Sequence, residues 1–347
     1  MSASAPRRLL FVSATPASVR QGSGTYVGIS VLRQALLKLG HEVTLIAPRR
    51  ALGTWRRLWF NLHLRRLRTG ATVVGFDLDG LFLGGGSSIA SIKGVLAEES
   101  CHERGWSRLS LGLQARWEGV RARRADRVIA TSRYAAAAIE RCYRVPQERI
   151  RVVPELLDLA AWNALLAAAP LAVRTRPRVL CVAHLYPRKD VSTLLQAAAR
   201  LHADVEIRVV GEGPELARLR HQARTLGVQD RVRFLGHISR AELAGEYRNA
   251  DLFCLPSRQE GFGIVLLEAM AAGLPIVAAR ATAVPEVVPE PACGCLFLPG
   301  DAAELARLLE LLLADATVRR DQGRAGRRRA AAFDAPAVAA QFLRAIS

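Results

Sequence analysis

The most informative segment of this chain is Ser257-Arg258-Gln259-Glu260-Gly261-Phe262-Gly263-Ile264-Val265-Leu266-Leu267-Glu268-Ala269-Met270. It follows a short apolar run, 251–256, that predicts a buried strand ended by proline. From Ile264 onward an apolar run without Pro or Gly, reaching almost to Gly273, predicts a helix. Strand, glycine-bracketed turn and helix, in this order, form half of the unit that builds parallel α/β sheets.

The turn between the predicted strand and helix suits an anion. Gly261 and Gly263 permit backbone torsions closed to other residues and let a ligand approach the chain closely. The first amides of a helix lack internal partners and point along a dipole that favours negative charge. We therefore predict that a phosphate binds at Gly261, Phe262, Gly263 and Ile264.

Two carboxylates flank this turn. Glu260 precedes it and Glu268 lies on the helix, eight residues further on. A fully helical span would separate them by about 12 Å. The turn changes that distance, so the spacing does not place them as a hydrolytic pair, which needs roughly 5–9.5 Å. Because carboxylates can hold hydroxyls, the whole segment predicts a site for a phosphate joined to a sugar.

The rest of the chain alternates strands and helices in two halves. Strand, helix and strand are predicted at 8–13, 27–39 and 41–46, and again at 178–183, 191–201 and 206–210, with a further strand at 127–130. Such units imply parallel sheets, and 347 residues are long for a single core. We predict an α/β protein of two Rossmann-like domains, joined by a linker within 158–177 and followed by a final helix over 335–346.

Composition narrows the class of protein. Half of the residues are apolar, and no apolar run near the N-terminus is long enough for a signal peptide or a membrane span, so we expect a cytoplasmic protein. The six cysteines lack zinc spacing, which favours free thiols. The net charge of +18 indicates either an arginine-rich codon bias or an anionic partner. No nucleic-acid-binding motif is present, so nucleic acid is not the expected partner.

The segment 53–68 mixes tryptophans, leucines and arginines. This composition suits an interfacial helix on anionic lipid, at the inner face of a membrane. It equally suits a helix that packs on its own domain and turns an arginine face to solvent. Both interpretations stay open, with packing slightly favoured.

The segment 257–270 resembles the signature of the glycosyl transferases group 1, or family 4, which are retaining GT-B enzymes. The matching residues are Glu260-Gly261-Phe262-Gly263, Glu268-Ala269-Met270-Ala271 and Gly273-Leu274-Pro275. The resemblance implies an acceptor domain over 1–165 and a donor domain over 170–332, facing each other across a cleft. It also implies a C-terminal helix, 333–347, that crosses back to the first domain.

The resemblance further implies a reaction. A sugar would move, with retention of configuration, from a nucleotide-diphosphate donor to an acceptor hydroxyl. The donor would be UDP-linked by preference, with GDP as the other choice. The acceptor would be a sugar, a lipid-linked sugar or a small molecule, in glycolipid, cell-envelope polysaccharide or small-glycoside biosynthesis.

Site roles follow from the same resemblance. Glu260 would hold sugar hydroxyls, Glu268 ribose hydroxyls and Lys189 the diphosphate, where its charge would neutralise the departing phosphate. His184 replaces the arginine or small residue that the family usually shows, so Arg188 is the candidate for the second cation.

Other loops contribute weaker candidates, each of which could also be an ordinary connection. Gly211 lies in a turn like the family's G-x-G-P, and His237 in the loop beside the nucleotide base. Gly22 and Gly24 would let the backbone approach the diphosphate or the acceptor. His102 is the candidate for a histidine that faces the donor sugar, although its spacing does not align cleanly. Glu260, Lys189 and His102 are therefore the candidate catalytic residues.

Three alternatives remain: a glycoside hydrolase that uses Glu260 and Glu268, a nucleotide-sugar epimerase, and a binding subunit without activity. No obligate metal is expected, because the Asp-x-Asp sequence that could hold one, Asp77-Leu78-Asp79, lies in the first half of the chain, away from the predicted phosphates.

Overall fold

The computed structural model describes residues 6–15, 24–50, 52–67, 69–83 and 87–347. The chain forms two compact units. The first comprises Met1–Leu156 and Ala335–Ser347, and the second Leu157–Asp334. Each contains a six-stranded sheet in which neighbouring strands run parallel. The predicted pair of Rossmann-like domains is thereby confirmed.

The first unit alternates strands and helices along the chain. Its elements before the unit boundary are β1 (Arg8–Val12), α1 (Gly24–Lys38), β2 (Glu42–Ile46), α2 (Thr54–Leu64), β3 (Thr72–Phe76), β4 (Ser88–Ile92), α3 (Leu96–Cys101), α4 (Gly105–Arg124), β5 (Arg127–Ala130), α5 (Arg133–Tyr143) and β6 (Ile150–Val152). The strand order is β2-β1-β3-β4-β5-β6. The order reverses between β1 and β3, and ligands of open α/β sheets bind at such a reversal, beyond the carboxyl ends of the strands.

The second unit repeats this construction. Its elements are α6 (Leu159–Ala168), β7 (Arg178–Val182), α7 (Val191–Ala198), β8 (Glu206–Val210), α8 (Leu216–Thr225), β9 (Val232–Gly236), α9 (Arg240–Arg248), β10 (Leu252–Leu255), α10 (Ile264–Ala272), β11 (Ile276–Ala279), α11 (Val284–Val287), β12 (Gly294–Phe297), α12 (Ala302–Ala314) and α13 (Ala316–Ala330). The strand order is β12-β11-β10-β7-β8-β9, which is the order of dinucleotide-binding sheets. Its reversal lies between β7 and β10.

The last helix, α14 (Ala335–Ala345), belongs to the first unit. Its Val338 and Phe342 are buried in the core around β1 and β3. The ring of Phe342 lies 6.4 Å from Phe11, which in turn packs edge-on against Phe76 at 5.1 Å. The apolar face of this helix is therefore covered by the sheet that begins the chain.

The boundary between the units falls ahead of the segment 158–177 that the sequence suggests as a linker. Asp158 caps α6 by accepting a hydrogen bond from the Ala161 amide at 3.0 Å. Trp162 on that helix is only 1% exposed and lies in the second unit's core. The alanine-rich composition of this helix resembles a linker in sequence, but its one tryptophan ties it to the second unit.

Candidate active site

The turn after β10 has the form that its sequence predicts. Glu260 precedes the turn and Glu268 lies on α10. Gly263 is the N-cap residue, with φ +89°, a conformation that favours glycine. No side chain caps this helix start, so its first amides stay oriented for an anion. Phe262 contributes its ring to the core, edge-on to Phe333 at 5.5 Å.

Lys189 and Glu260 meet directly. The Lys189 ammonium donates to Oε1 of Glu260 at 2.6 Å, and both side chains are largely buried. Lys189 follows β7 and Glu260 follows β10, and these strands are neighbours at the point where the strand order reverses. Thr282 holds the backbone of Glu260, because its hydroxyl lies 2.9 Å from the Glu260 amide nitrogen and 2.8 Å from the Glu260 carbonyl oxygen. The pair therefore occupies the edge where such sheets bind ligands.

A second ion pair joins the same two loops. Arg258 donates through Nε to Asp190 at 2.7 Å, and its amide donates to the Arg188 carbonyl at 2.8 Å. Asp190 also accepts from the Thr193 hydroxyl at 2.8 Å. These contacts hold the loop that carries Lys189 against the loop that carries Glu260.

Arg188 and His184 add positive charge beside Lys189. The Arg188 guanidinium lies over the Tyr186 ring, 5.2 Å from its centroid. The pKa of His184 is lowered by desolvation and by the positive charges of Lys189 and Arg188 nearby. His184 is therefore neutral near pH 7, and the fixed positive charge of this loop comes from Arg188 and Lys189.

Glu268 is almost fully buried and has a basic partner. Its side chain forms an ion pair with Arg240 and accepts a hydrogen bond from the Tyr247 hydroxyl at 3.0 Å. Its backbone carbonyl accepts from Nε1 of Trp162 at 3.1 Å. The sequence did not point to Arg240, because nothing in its neighbourhood marks one arginine among so many.

Gly211 lies where the ends of three strands converge. Its φ is +128°, its amide donates to the Gly236 carbonyl at 2.9 Å, and a Cβ placed on it would lie 2.0 Å from the Ala183 carbonyl oxygen. The exposed His237 follows Gly236, and its amide donates to Glu212 at 3.3 Å. The close packing of the loops after β7, β8 and β9 thus explains this glycine without reference to a ligand.

The first-unit candidates are dispersed. Gly24 begins α1, whereas Gly22 lies outside the described residues. His102 caps the C-terminus of α3 and does not stand at a strand end. The residue that directly follows β4 is Lys93, whose ammonium lies 2.8 Å from Glu155, and both side chains are buried. The sequence did not single out this pair.

The Asp79 carboxylate forms hydrogen bonds with other groups of the protein and is not arranged as a metal ligand. It is fully buried and accepts from Arg57 at 2.8 Å, from Asn61 at 2.9 Å and from the Ala14 amide at 2.6 Å. Burial raises the pKa of the neighbouring Asp77 to about 6, with Arg57 opposing the shift. Within the described ranges, no group of three His, Cys, Asp or Glu side chains could hold a metal ion.

Comparison with known proteins agrees with this architecture. The model of the glycosyl transferases group 1 matches residues 167–329, and that of glycosyltransferase family 4 matches residues 22–161. Sucrose-phosphate synthase from Thermosynechococcus elongatus has a similar structure, with a TM-score of 0.83 at 22% identity, covering 97% of this chain and 98% of that one. WaaG, a glycosyltransferase involved in lipopolysaccharide biosynthesis, has a TM-score of 0.74 at 19% identity, covering 98% and 99%.

Two relatives are similar in sequence. An MMP alpha-(1->4)-mannosyltransferase of Mycolicibacterium hassiacum is 37% identical over 225 residues, which are 63% of this chain and 53% of that protein. A GDP-mannose-dependent alpha-(1-6)-phosphatidylinositol monomannoside mannosyltransferase of Mycobacterium tuberculosis is 32% identical over 257 residues, 69% of this chain and 65% of that protein. The matches thus span about half to two thirds of these relatives. Because the two family models together take in both units, the chain belongs to the glycosyltransferases of family 4 and group 1, which have the GT-B fold.

Proposed function

We propose that the protein transfers a hexose from a nucleotide-diphosphate sugar to an acceptor hydroxyl, with retention of configuration. The observation that carries the proposal is the contact between Lys189 and Glu260 beside an uncapped helix start, at the strand-order reversal of the second unit. This arrangement offers a cation and the amides of a helix start for a diphosphate, and a carboxylate for sugar hydroxyls, within one pair of loops.

GDP-mannose is the donor that we propose first. The relatives that support it are mannosyltransferases, and one of them is named as GDP-mannose-dependent. A UDP-sugar is the second choice, because a structural neighbour from Anabaena, HepE, was crystallised with UDP-glucose, although it shares only 20% identity. The acceptor that we propose is a glycolipid or an oligosaccharide, by analogy with the same relatives.

The chemistry assigns a task to each group. The bond between the anomeric carbon and the diphosphate breaks, and a bond to the acceptor oxygen forms on the same face. The acceptor proton passes to the leaving phosphate. Lys189 donates one hydrogen bond to Glu260, and its remaining donors stabilise the charge that develops on that phosphate. Glu268 holds the ribose, so that the donor stays oriented.

The direct test is an assay with GDP-mannose and UDP-glucose over a panel of phosphatidylinositol mannosides and mannose oligosaccharides. Nucleotide diphosphate release and product mass report transfer, and the anomeric coupling of the product reports stereochemistry. Conversion of the donor to an epimer, or cleavage of simple glycosides without a nucleotide, would contradict the proposal.

Replacing Glu268 by glutamine tests the ribose assignment. The amide keeps the shape of the side chain but offers one acceptor oxygen in place of two. We expect GDP and GDP-mannose to bind about tenfold more weakly, the size of one lost charge-assisted hydrogen bond. Titration calorimetry measures the effect. Unchanged nucleotide affinity would remove Glu268 from the ribose site.

We also propose that the first unit contacts an anionic membrane. On α2, Arg57 and Asn61 face inward to Asp79, which turns Trp55 and Trp59 outward, and these are 64% and 62% exposed. No helix within the described residues combines the length and apolar content needed to cross a bilayer. The contact that we propose is a peripheral one.

The start of α4 extends this surface. A hydrogen bond of 2.6 Å between the Thr54 and Ser110 hydroxyls joins the two helices, and the Gln114 amide donates to the Thr54 hydroxyl at 3.1 Å. Trp106 and Leu109, on the first turns of α4, are 79% and 66% exposed. Exposed tryptophans and a leucine flanked by arginines suit the boundary between lipid headgroups and acyl chains.

A vesicle-binding measurement tests this surface. Arg104 and Arg108 are exposed near Trp106, and each basic residue near an anionic surface contributes about 1 kcal/mol. Replacing both by glutamine should weaken binding to phosphatidylglycerol vesicles roughly 30-fold. The control is the same change at Arg220 and Arg224, an exposed pair with equal spacing on α8. Equal losses in both variants, or binding to neutral vesicles alone, would argue against the surface.

A further inference from the structure

Three side chains form a frame around Glu268: Arg240, Tyr247 and Trp162. Arg240 is the first residue of α9 and forms an ion pair with Oε1 of Glu268. Tyr247, near the end of the same helix, donates to Oε2 at 3.0 Å. Trp162 of α6 donates to the Glu268 backbone carbonyl at 3.1 Å. The frame therefore restrains both ends of the Glu268 residue, its carboxylate and its main chain.

The frame uses only part of the hydrogen-bonding capacity of the Glu268 carboxylate. An ionised carboxylate offers about four acceptor positions, and each oxygen of Glu268 uses one on the frame. Burying a carboxylate is costly unless a positive charge and hydrogen bonds accompany it. Glu268 is 2% exposed, and Arg240 supplies that charge. A buried anion with one acceptor position left on each oxygen is suited to two adjacent hydroxyls, such as those of a ribose.

Arg240 is itself held in place. Its guanidinium lies over the Trp162 indole, 4.1 Å from the centroid, and Trp162 is 1% exposed. The backbone at the start of α9 is fixed by a capping box between Ser239 and Glu242, with contacts of 2.7 and 3.2 Å. An arginine restrained at its backbone and at its head group can orient a partner without itself touching the substrate.

We propose that Arg240 is the residue that positions Glu268 for binding the ribose of the donor. This role depends on the ribose role proposed for Glu268. Without Arg240, the Glu268 carboxylate would keep the Tyr247 hydroxyl as its side-chain partner among the described residues, and its two oxygens would no longer be fixed together. Recognition of the ribose hydroxyls would then be lost, while the contacts to the diphosphate would remain.

The experiment compares a ribonucleotide with one that lacks the ribose hydroxyls. Calorimetry gives Kd for GDP and for 2′,3′-dideoxy-GDP, with UDP and 2′,3′-dideoxy-UDP as a second pair. The wild-type protein should prefer the ribonucleotide. In Arg240→Met this preference, the ratio of the Kd of the dideoxy nucleotide to that of the ribonucleotide, should fall about tenfold, the effect of one charge-assisted hydrogen bond. The Kd of the dideoxy nucleotide itself should change little. Arg240→Lys, which keeps the charge, should retain most of the preference and guards against a folding defect.

A matched control lies beside the same helix. Arg208 forms a partly buried ion pair with Glu246 of α9, with a contact of 2.7 Å, and its described contacts do not include Glu268. Arg208→Met should leave the preference unchanged. Equal weakening of both nucleotides in Arg240→Met, or the same loss in the control, would show that Arg240 is merely structural.

Glu268→Gln separates the two proposals. If this variant loses the preference for ribonucleotides and Arg240→Met keeps it, the positioning role of Arg240 is wrong and the ribose role of Glu268 stands. If Glu268→Gln keeps the preference, the ribose role fails, and the role of Arg240 fails with it. Binding of neither GDP nor UDP by the wild-type protein would overturn both.

Discussion

Replacing Lys189 by methionine is expected to lower kcat/KM for sugar transfer by about two to three orders of magnitude. The methionine fills a similar volume but cannot stabilise the charge on the leaving phosphate. The initial rate of nucleotide diphosphate release measures the effect. Lys38→Met is the control, because Lys38 is exposed in the last turn of α1 and lies in the first unit.

A folding defect must be separated from this loss, because Lys189→Met also leaves the buried Glu260 without its cation. The double variant Lys189→Met/Glu260→Gln removes the unpaired charge. We expect it to recover the thermal stability of the wild-type protein without recovering transfer. Recovery of both would mean that Lys189 serves only to stabilise the fold.

Replacing Gly211 by alanine is expected to destabilise the second unit by about 3 kcal/mol or more. Two effects combine. The φ of +128° is strained for any residue with a Cβ, and that atom would lie 2.0 Å from the Ala183 carbonyl oxygen. Because that contact is with backbone, relief requires the loop before Lys189 to move. Chemical denaturation followed by circular dichroism measures the loss.

Gly227→Ala is the matched control for Gly211→Ala. Gly227 also has a positive φ, +68°, but a Cβ placed on it meets nothing within 4 Å. It should cost only about 1–2 kcal/mol. The difference between the two variants therefore measures the backbone contact together with the additional strain of φ +128° over φ +68°. Equal costs would mean that the loops after β7 and β8 rearrange freely, and that close packing against Ala183 is not the reason for a glycine at position 211.

Prediction from sequence succeeds where the signal is local. The strands 127–130 and 206–210 have the bounds that their patterns predict, and the predicted start of α10 at Ile264 is the observed one. Prediction is weakest in the stretch that holds β3, β4 and α4. β3 contains a glycine, which weakens a strand pattern, and α4 carries so many arginines that its buried face is obscured.

The candidate site likewise has a part that the local sequence predicts and a part that it does not. The uncapped turn, Glu260 before it and Glu268 on the helix follow from about a dozen consecutive residues. Whether Glu260 and Glu268 have partners, and which, does not follow from that segment. Arg240 and Trp162 are separated from Glu268 by 28 and 106 residues, and no periodic pattern connects them. Their meeting depends on how α6, α9 and α10 pack.

Local sequence was sufficient for the two Rossmann-like domains, the family and the strand–turn–helix that offers a phosphate site. These depend on periodicity, glycine placement and helix ends, all of which act over a few residues. Tertiary packing was needed to bring Lys189 and Glu260, 71 residues apart, into one pair. It was also needed to place Arg240 against Glu268 and to turn the tryptophans of α2 outward. The reason is that parallel strands bring their carboxyl ends to one edge whatever their separation along the chain, and no local pattern encodes which ends will be neighbours.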